Sequence, residues 1–179
     1  MIFAIEPIAD IWDDVFVLGQ KHWLETQQYR HNQTFNPSLE RYGAFEQSGM
    51  LYMFTARDDG RLVGYGGLYV TSSMHTQARI STEDTWYMLP EYRRGWNGIR
   101  FFKYMEDFLR KMDVVETTLT VPVTKDARHG HMLERLGYTP VAVKYSKSLV
   151  RADSPSDQRA VEETPVCAQP IRLMSKELQ

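Results

Sequence analysis

Leu89-Pro90-Glu91-Tyr92-Arg93-Arg94-Gly95-Trp96-Asn97-Gly98-Ile99 joins a β-rich run to an amphipathic one through a basic turn with two glycines. Such a turn lets successive backbone N–H groups converge at the start of a helix. Glycine permits close approach there, and the helix dipole favours an anion. A phosphate or pyrophosphate is the natural guest, and Arg93, Arg94 and Arg100 add positive charge. Basic strand-to-helix turns with glycine also arise for purely structural reasons, so the turn alone does not decide the fold.

Its surroundings do more. Upstream, residues 51–56 and 62–70 are β-rich runs flanking Asp58-Asp59-Gly60, a hairpin signal, and residues 78–89 form a further strand that stops at Pro90. Downstream, Ile99, Phe102, Met105, Phe108 or Leu109, and Met112 lie on one side of a helix. Residues 114–123 alternate as a strand, 126–136 make a short helix ended by Gly137, and 138–149 make a last strand. Towards the N-terminus, residues 1–8 suggest a first strand and Asp10 a cap for a helix carrying Trp12, Val15, Phe16, Leu18 and Trp23. A polar loop follows over 29–37, and a second helix begins at Pro37-Ser38-Leu39-Glu40 and stops near Gly49. The order β-α-α-β-β-β-α-β-α-β places the chain in the α/β or α+β class, a mixed sheet with helices on its faces.

The chain has 179 residues, which fits one domain, here 1–149. From about Val150 the sequence turns polar, charged and proline-containing, the composition of a flexible tail over 150–179. A net charge of −2 supplies no global basic field for nucleic acid or membrane surfaces. Arg93, Arg94, Arg100, Lys103, Arg110 and Lys111 give local positive charge, read as a cofactor turn followed by a solvated helix face. No nucleic-acid partner is therefore expected. With Cys167 as its only cysteine, the chain suits a reducing compartment. It carries no secretory signal at Met1–Glu6 and no apolar run of spanning length, so a cytoplasmic location is expected.

The hairpin with Arg61-Leu62-Val63-Gly64-Tyr65, the Pro90-Glu91-Tyr92-Arg93 turn and Leu133-Glu134-Arg135-Leu136-Gly137-Tyr138 together resemble the GNAT acetyltransferase family. The likeness spans roughly residues 45–149 and is greatest to the GNAT-type proteins of bacteriophages. It implies a mixed, mainly antiparallel central sheet flanked by helices, with a splayed acyl-CoA cleft. It implies an N-acetyltransferase whose co-substrate is acetyl-CoA and whose acceptor is an amine on a small molecule or a protein. The pyrophosphate would lie on the N–H groups of Arg94, Gly95, Trp96, Asn97, Gly98 and Ile99. Backbone groups of Tyr87, Met88 and Leu89 would flank the pantetheine arm. Family members often dimerise through terminal strands, so the resemblance admits a homodimer.

Two departures from the family pattern stand out. Asn97 occupies a position usually held by Gly or Ala, with Gly98 one place late, although Asn tolerates left-handed backbone well. Leu133 occupies the position where many members carry a tyrosine acid. These departures support an alternative, a catalytically inactive GNAT-fold binding or inhibitory protein. A nucleotide-phosphate enzyme is a weaker reading still, because the turn lacks the Gly-Lys-Ser/Thr ending that such loops use.

For the general base, Glu83 and Asp84 are neighbours on a strand and point to opposite faces. Asp84 shares its side of the pleat with Trp86 and Met88, a parity that a β-bulge would switch, and is favoured over Glu83. The candidates for the acid are His131, His129 and Tyr138. His75 could line the acceptor site with Trp23, Tyr29, His31, Phe35 and Tyr42, where Glu25 and Glu40 supply carboxylates. The five histidines form no recognisable ligand set, so no catalytic metal is expected.

Overall fold

A computed structural model of the chain describes residues 1–26, 34–121, 128–144 and 147. Strand β1 (Ile2–Ile5) leads into helix α1 (Ile8–Thr26), which buries Ile8, Ile11, Val15, Leu18 and Gly19 along one stripe. Asp10 is not its cap, as the sequence suggested. The helix begins at Ile8, whose N–H donates to the Glu46 carboxylate at 3.0 Å, and Asp10 sits in the first turn, where the dipole favours its charge. Helix α2 (Leu39–Gln47) is capped by Ser38, whose Oγ accepts the Arg41 N–H.

Strands β2 (Leu51–Asp58) and β3 (Arg61–Ser72) form the expected hairpin. Asp59 and Gly60 close it, both with positive φ (47° and 81°), as a two-residue hairpin turn of the primed type requires. Strand β4 (Arg79–Met88) follows, then a 3-10 turn at Pro90–Tyr92 and helix α3 (Asn97–Lys111). Helix α3 buries Phe101, Phe102, Met105 and Leu109; Phe101 was absent from the stripe read in the sequence. Helix α4 (Arg128–Arg135) ends in a Schellman arrangement around Gly137 (φ 93°), with the Tyr138 and Gly137 N–H groups donating to the carbonyls of Leu133 and Glu134.

The sheet has five strands in the order β1-β2-β3-β4-β5, antiparallel except for the parallel pair β4–β5. Helices α1 and α2 cover one face, towards Met53, Tyr65 and Thr85. Helix α3 covers the other, where Phe54 meets Tyr104 and Phe108, and Trp86 meets Phe102.

Two further expectations from sequence are corrected. Strand β5 spans Glu116–Thr118 rather than 114–123, because its ladder with β4 stops at the pair Thr82 and Thr118. There the Glu83 carboxylate accepts the Thr120 N–H at 2.5 Å and takes the place of a ladder bond. Residues 139–144 form no strand. They are exposed, and Pro140 lacks the donor that a ladder needs. The remainder of the expected strand, 145–146 and 148–149, and the tail 150–179 lie outside the described residues. Met1–Ala142 form one compact unit; of the second, Val143–Gln179, only Val143, Lys144 and Lys147 are described, and all three are exposed. No described helix is long and apolar enough to cross a membrane.

Candidate active site

The chemistry of the site begins with a register shift. Thr85 of β4 pairs with Gly67 of β3, but Leu68 pairs with Glu83, so Asp84 is an extra residue bulged from the ladder. Regular alternation would put Asp84 on the α3 face with Trp86 and Met88. The bulge turns it to the α1 face, where Asp84 and Thr85 both line one cavity of about 390 Å³. Glu83, opposite Leu68, stays on the α3 face and is held by Thr120.

The cavity lies between the sheet, α1 and the loop before α2. Its walls are aromatic: Trp12, Phe16, Trp23, Phe35, Tyr42 and Tyr65. Phe35 packs on Phe16 (centroids 5.4 Å apart) and Trp23 (6.1 Å), and so fixes the loop over the helix. Asp84 is open to solvent within this concavity yet crowded by protein. Burial pushes its carboxyl above the usual range, while hydrogen bonds from Tyr42 (2.7 Å) and Tyr69 pull it back. The same crowding, with the Asp84 charge beside it, raises the Tyr42 phenol and keeps it a donor.

His22 is a further titratable group of the cavity. Its Nδ1 lies 3.1 Å from both the Tyr65 hydroxyl and Thr85 Oγ1, and its ring stacks on Tyr87 at 4.9 Å. Burial lowers its pKa to about 4, against the attraction of Glu25, so the imidazole is neutral at physiological pH. His22 was not singled out in the sequence, nor were Tyr65 and Thr85. A signal existed for His22: with Val15, Leu18 and Gly19 it completes an i, i+3, i+4, i+7 stripe, where a polar residue is out of place.

Arg93 connects this cavity to the basic turn. Its guanidinium makes a two-pronged ion pair with Glu25 at the end of α1 (2.6 and 2.7 Å), and its Nε–H donates to the Met88 carbonyl at 2.7 Å. It also lies over the Tyr87 ring at 5.1 Å. Arg93 is thus committed within the protein, which leaves the exposed Arg94 as the cation of the turn itself.

In the turn Gly95 has φ 70°, and a Cβ there would meet nothing within 4 Å. The first intrahelical bond of α3 runs from Arg100 N–H to the Trp96 carbonyl, and no side chain caps the helix. The N–H groups of Asn97, Gly98 and Ile99 therefore have no intrahelical acceptor. Asn97 donates through Nδ2 to the Tyr92 carbonyl at 3.2 Å, so the unusual residue braces the turn. Beside the turn, β4 runs from Glu83 to Met88 with no ladder to β5 among the described residues. The Leu89 N–H bonds the Val63 carbonyl of β3, so by antiparallel alternation the Met88 N–H points away from β3 into that gap.

Of the remaining sequence candidates, Trp23 lines the cavity, while Tyr29 and His31 lie outside the described residues. His75 is exposed in the β3–β4 loop, where its N–H reaches Ser73 Oγ, and does not line the cavity. His131 is exposed on α4 with Nδ1 3.3 Å from Glu134. Leu133 is buried in the core, and Tyr138 is half-buried, its phenol raised by burial and by Glu106 beside it. Among the described residues no three His, Cys, Asp or Glu side chains gather to hold a metal.

The fold recurs widely at low sequence identity. The solved structure of an aminoglycoside acetyltransferase from an uncultured soil metagenomic sample, bound to trehalose, superposes with a TM-score of 0.66 at 12% identity, covering 83% of this chain and 96% of its own. A ribosomal-protein-alanine N-acetyltransferase from Brucella melitensis gives 0.56 at 17% identity, covering 84% and 99%. A mutant of the BH1408 protein from Bacillus halodurans gives 0.68 at 17% identity, covering 84% and 100%. No protein among the curated ones matches the chain. The sequence profile of the acetyltransferase (GNAT) family matches residues 9–138, which span the turn, the bulged strand and the cavity. With most of its length covered by that profile and the sheet order that carries it, the chain belongs to the GNAT acetyltransferase family.

Proposed function

We propose that this protein is an acetyl-CoA-dependent N-acetyltransferase in which Asp84 is the general base. The observation that carries the reading is the bulge that turns Asp84 out of strand parity and into the cavity. A bulge costs ladder bonds and is retained where a side chain must be re-aimed. A carboxyl raised by burial is a stronger base than a free one, and hydrogen bonds from two tyrosine hydroxyls favour its ionised form. His22, neutral beside it, adds no charge that would repel an ammonium.

The residues of the basic turn fit the coenzyme. An uncapped helix start, left-handed Gly95 and exposed Arg94 make a site for a pyrophosphate. The gap beside Glu83–Met88 would take a pantetheine arm, with the Met88 N–H as a donor to it. Acetyl-CoA bound there supplies the activated acyl group. Asp84 takes the ammonium proton of the acceptor, the new C–N bond forms as the C–S bond breaks, the nitrogen gives up its second proton to water, and the departing sulfur takes a proton. Leu133 cannot give that proton. His131 could do so only if its pair with Glu134 opens, and water serves otherwise, since a thiolate with a pKa near 8.5 is a tolerable leaving group. The absence of a spanning helix among the described residues and the single cysteine suit a cytoplasmic enzyme.

Calorimetric titration of acetyl-CoA into the protein tests this, beside a variant carrying Arg94→Glu and Gly95→Glu. Micromolar binding lost in the variant is the expected result. A folded parent that binds neither acetyl-CoA nor longer acyl-CoAs refutes the transferase and returns the chain to a binding role.

A further inference from the structure

The charge and shape of the cavity say more about its occupant than the fold does. We infer that the acceptor is a monocationic primary amine on a flat, apolar body, such as a 2-arylethylamine, rather than a polyamine or an aminoglycoside. The inference rests on the transferase reading and narrows its substrate.

Carboxylates near the cavity can be counted by what they already bind. Asp84 is the one acidic residue among the described residues that line it. Glu25, at the end of α1, is held by both prongs of Arg93. Glu46 on α2 accepts the Ile8 N–H. Glu6 is bound by Thr55 and Arg57 and does not line the cavity. His22 is neutral. Among the described residues the interior thus offers one negative charge to a guest, which matches one ammonium. A second or third ammonium would be buried without a partner, and unpaired buried charge is strongly unfavourable.

The walls point the same way. Six aromatic rings line the cavity that holds the carboxylate, and their faces take up planar apolar groups and attract a cation. A sugar-rich acceptor needs many hydrogen-bond partners, yet the tyrosine hydroxyls here are spoken for. Tyr42 donates to Asp84, and the Tyr65 hydroxyl meets His22. Thr85 Oγ1 meets the same imidazole. The volume of about 390 Å³ suits a small amine whole.

The test uses the full chain, with 2-phenylethylamine, spermidine and sisomicin as probes and 2-phenylethanol as the uncharged analogue. Trp12 and Trp23 line the cavity, so tryptophan fluorescence reports occupancy independently of turnover. Expected are saturable quenching by 2-phenylethylamine, at least tenfold weaker quenching by 2-phenylethanol, and at least tenfold weaker binding of the amine to Asp84→Asn. Phe35→Ala, on the cavity loop, should weaken the amine at least fivefold and serves if Asp84→Asn does not fold. With acetyl-CoA, kcat/KM for 2-phenylethylamine should exceed those for spermidine and sisomicin at least tenfold. A preference for spermidine or sisomicin overturns the inference while leaving the transferase intact. Quenching that does not saturate, or that ignores both variants, also overturns it. Binding that depends on Asp84, without acetylation of any amine, upholds the ligand class and removes the transferase reading instead.

Discussion

The Tyr42 hydroxyl of α2 donates a 2.7 Å hydrogen bond to the Asp84 carboxylate, tying the second helix to the one bulged residue of β4. That bond favours the ionised carboxylate, whereas burial favours the neutral acid and is the larger influence. Removing it in Tyr42→Phe leaves burial less opposed, so the carboxyl pKa rises further. A base works only when deprotonated, and activity is lost as pH falls through its pKa. The acid limb of kcat/KM against pH should therefore move to higher pH in Tyr42→Phe, by the scale of a hydrogen bond to a charged group, about 1.5–3 kcal/mol, with the loss confined to pH values below the displaced limb. An unmoved limb would mean that another group sets it.

Glu83 and Asp84 are neighbours with different tasks, and their isosteric variants should separate them. Asp84→Asn removes the base and should lower kcat/KM about 10²- to 10⁴-fold with the fold unchanged. Glu83→Gln keeps an oxygen that can accept the Thr120 N–H, so its loss should stay under about 10-fold. The reverse order of damage in steady-state kinetics would move the base to Glu83 and empty the bulge of its purpose.

Burial of His22 has a consequence for stability. Its folded pKa of about 4 lies below the ordinary 6.5, so between those values the unfolded chain binds more protons than the folded one. Stability should rise with pH across that window and be lost as pH falls from 6.5 towards 4, by up to about 3 kcal/mol from this group. Urea midpoints measured between pH 4 and 7 check the slope, and His22→Gln should flatten it. An NMR titration placing the His22 midpoint near 6.5 would contradict the account.

How much of this was legible in the sequence depends on whether the signal was local. The hairpin at Asp59-Gly60 and the turn at Gly95 were readable because each depends on a few adjacent residues with backbone needs that only certain residue types meet. The side of the sheet on which Asp84 acts was not, because alternation assigns it to the α3 face and a single inserted residue reverses that. The shortness of β5 was hidden for a related reason: alternation over 114–123 shows which side chains can face a core, not where the neighbouring strand leaves. Arg93 was read with Arg94 and Arg100 as charge for a phosphate, yet its partner Glu25 lies 68 positions away in sequence. A composition of aromatics and carboxylates before residue 50 announced a cavity, but only the pairs made by Glu25 and Glu46 show how few charges it keeps.

Arg93 should matter more for stability than its ion-pair partner. The pair with Glu25 is about one-third exposed on each side, which limits it to about 1 kcal/mol or less. The Nε–H bond to the Met88 carbonyl adds about 1 kcal/mol, and the ring of Tyr87 a further fraction. Arg93→Ala should thus cost about 2 kcal/mol in chemical denaturation, and Glu25→Gln under about 1. Arg93→Lys should resemble the alanine variant, since an ammonium cannot reach the carbonyl and span both carboxylate oxygens together. A Glu25→Gln loss exceeding that of Arg93→Ala would show that the ion pair outweighs the bond to β4.

Gly19 sits in the middle of α1 where alanine would ordinarily be welcome, adding about 0.5–1 kcal/mol of helix propensity. A Cβ there would stand 2.7 Å from Phe35 Cζ, closer than side chains tolerate, so the ring that walls the cavity must shift. Because the obstacle is the far end of a side chain on a loop and not backbone, the clash is relieved by movement. The two effects should nearly cancel in stability, leaving Gly19→Ala within about 1 kcal/mol of the parent. The cost should appear in recognition: KM for the amine rises several-fold as Phe35 leaves Trp23 and Phe16, while the acetyl-CoA affinity, set at the other end of β4, is unchanged. Thermal denaturation, amine kinetics and coenzyme calorimetry on the one variant check all three parts. An unaltered amine KM would mean that Phe35 packs on α1 without touching the acceptor.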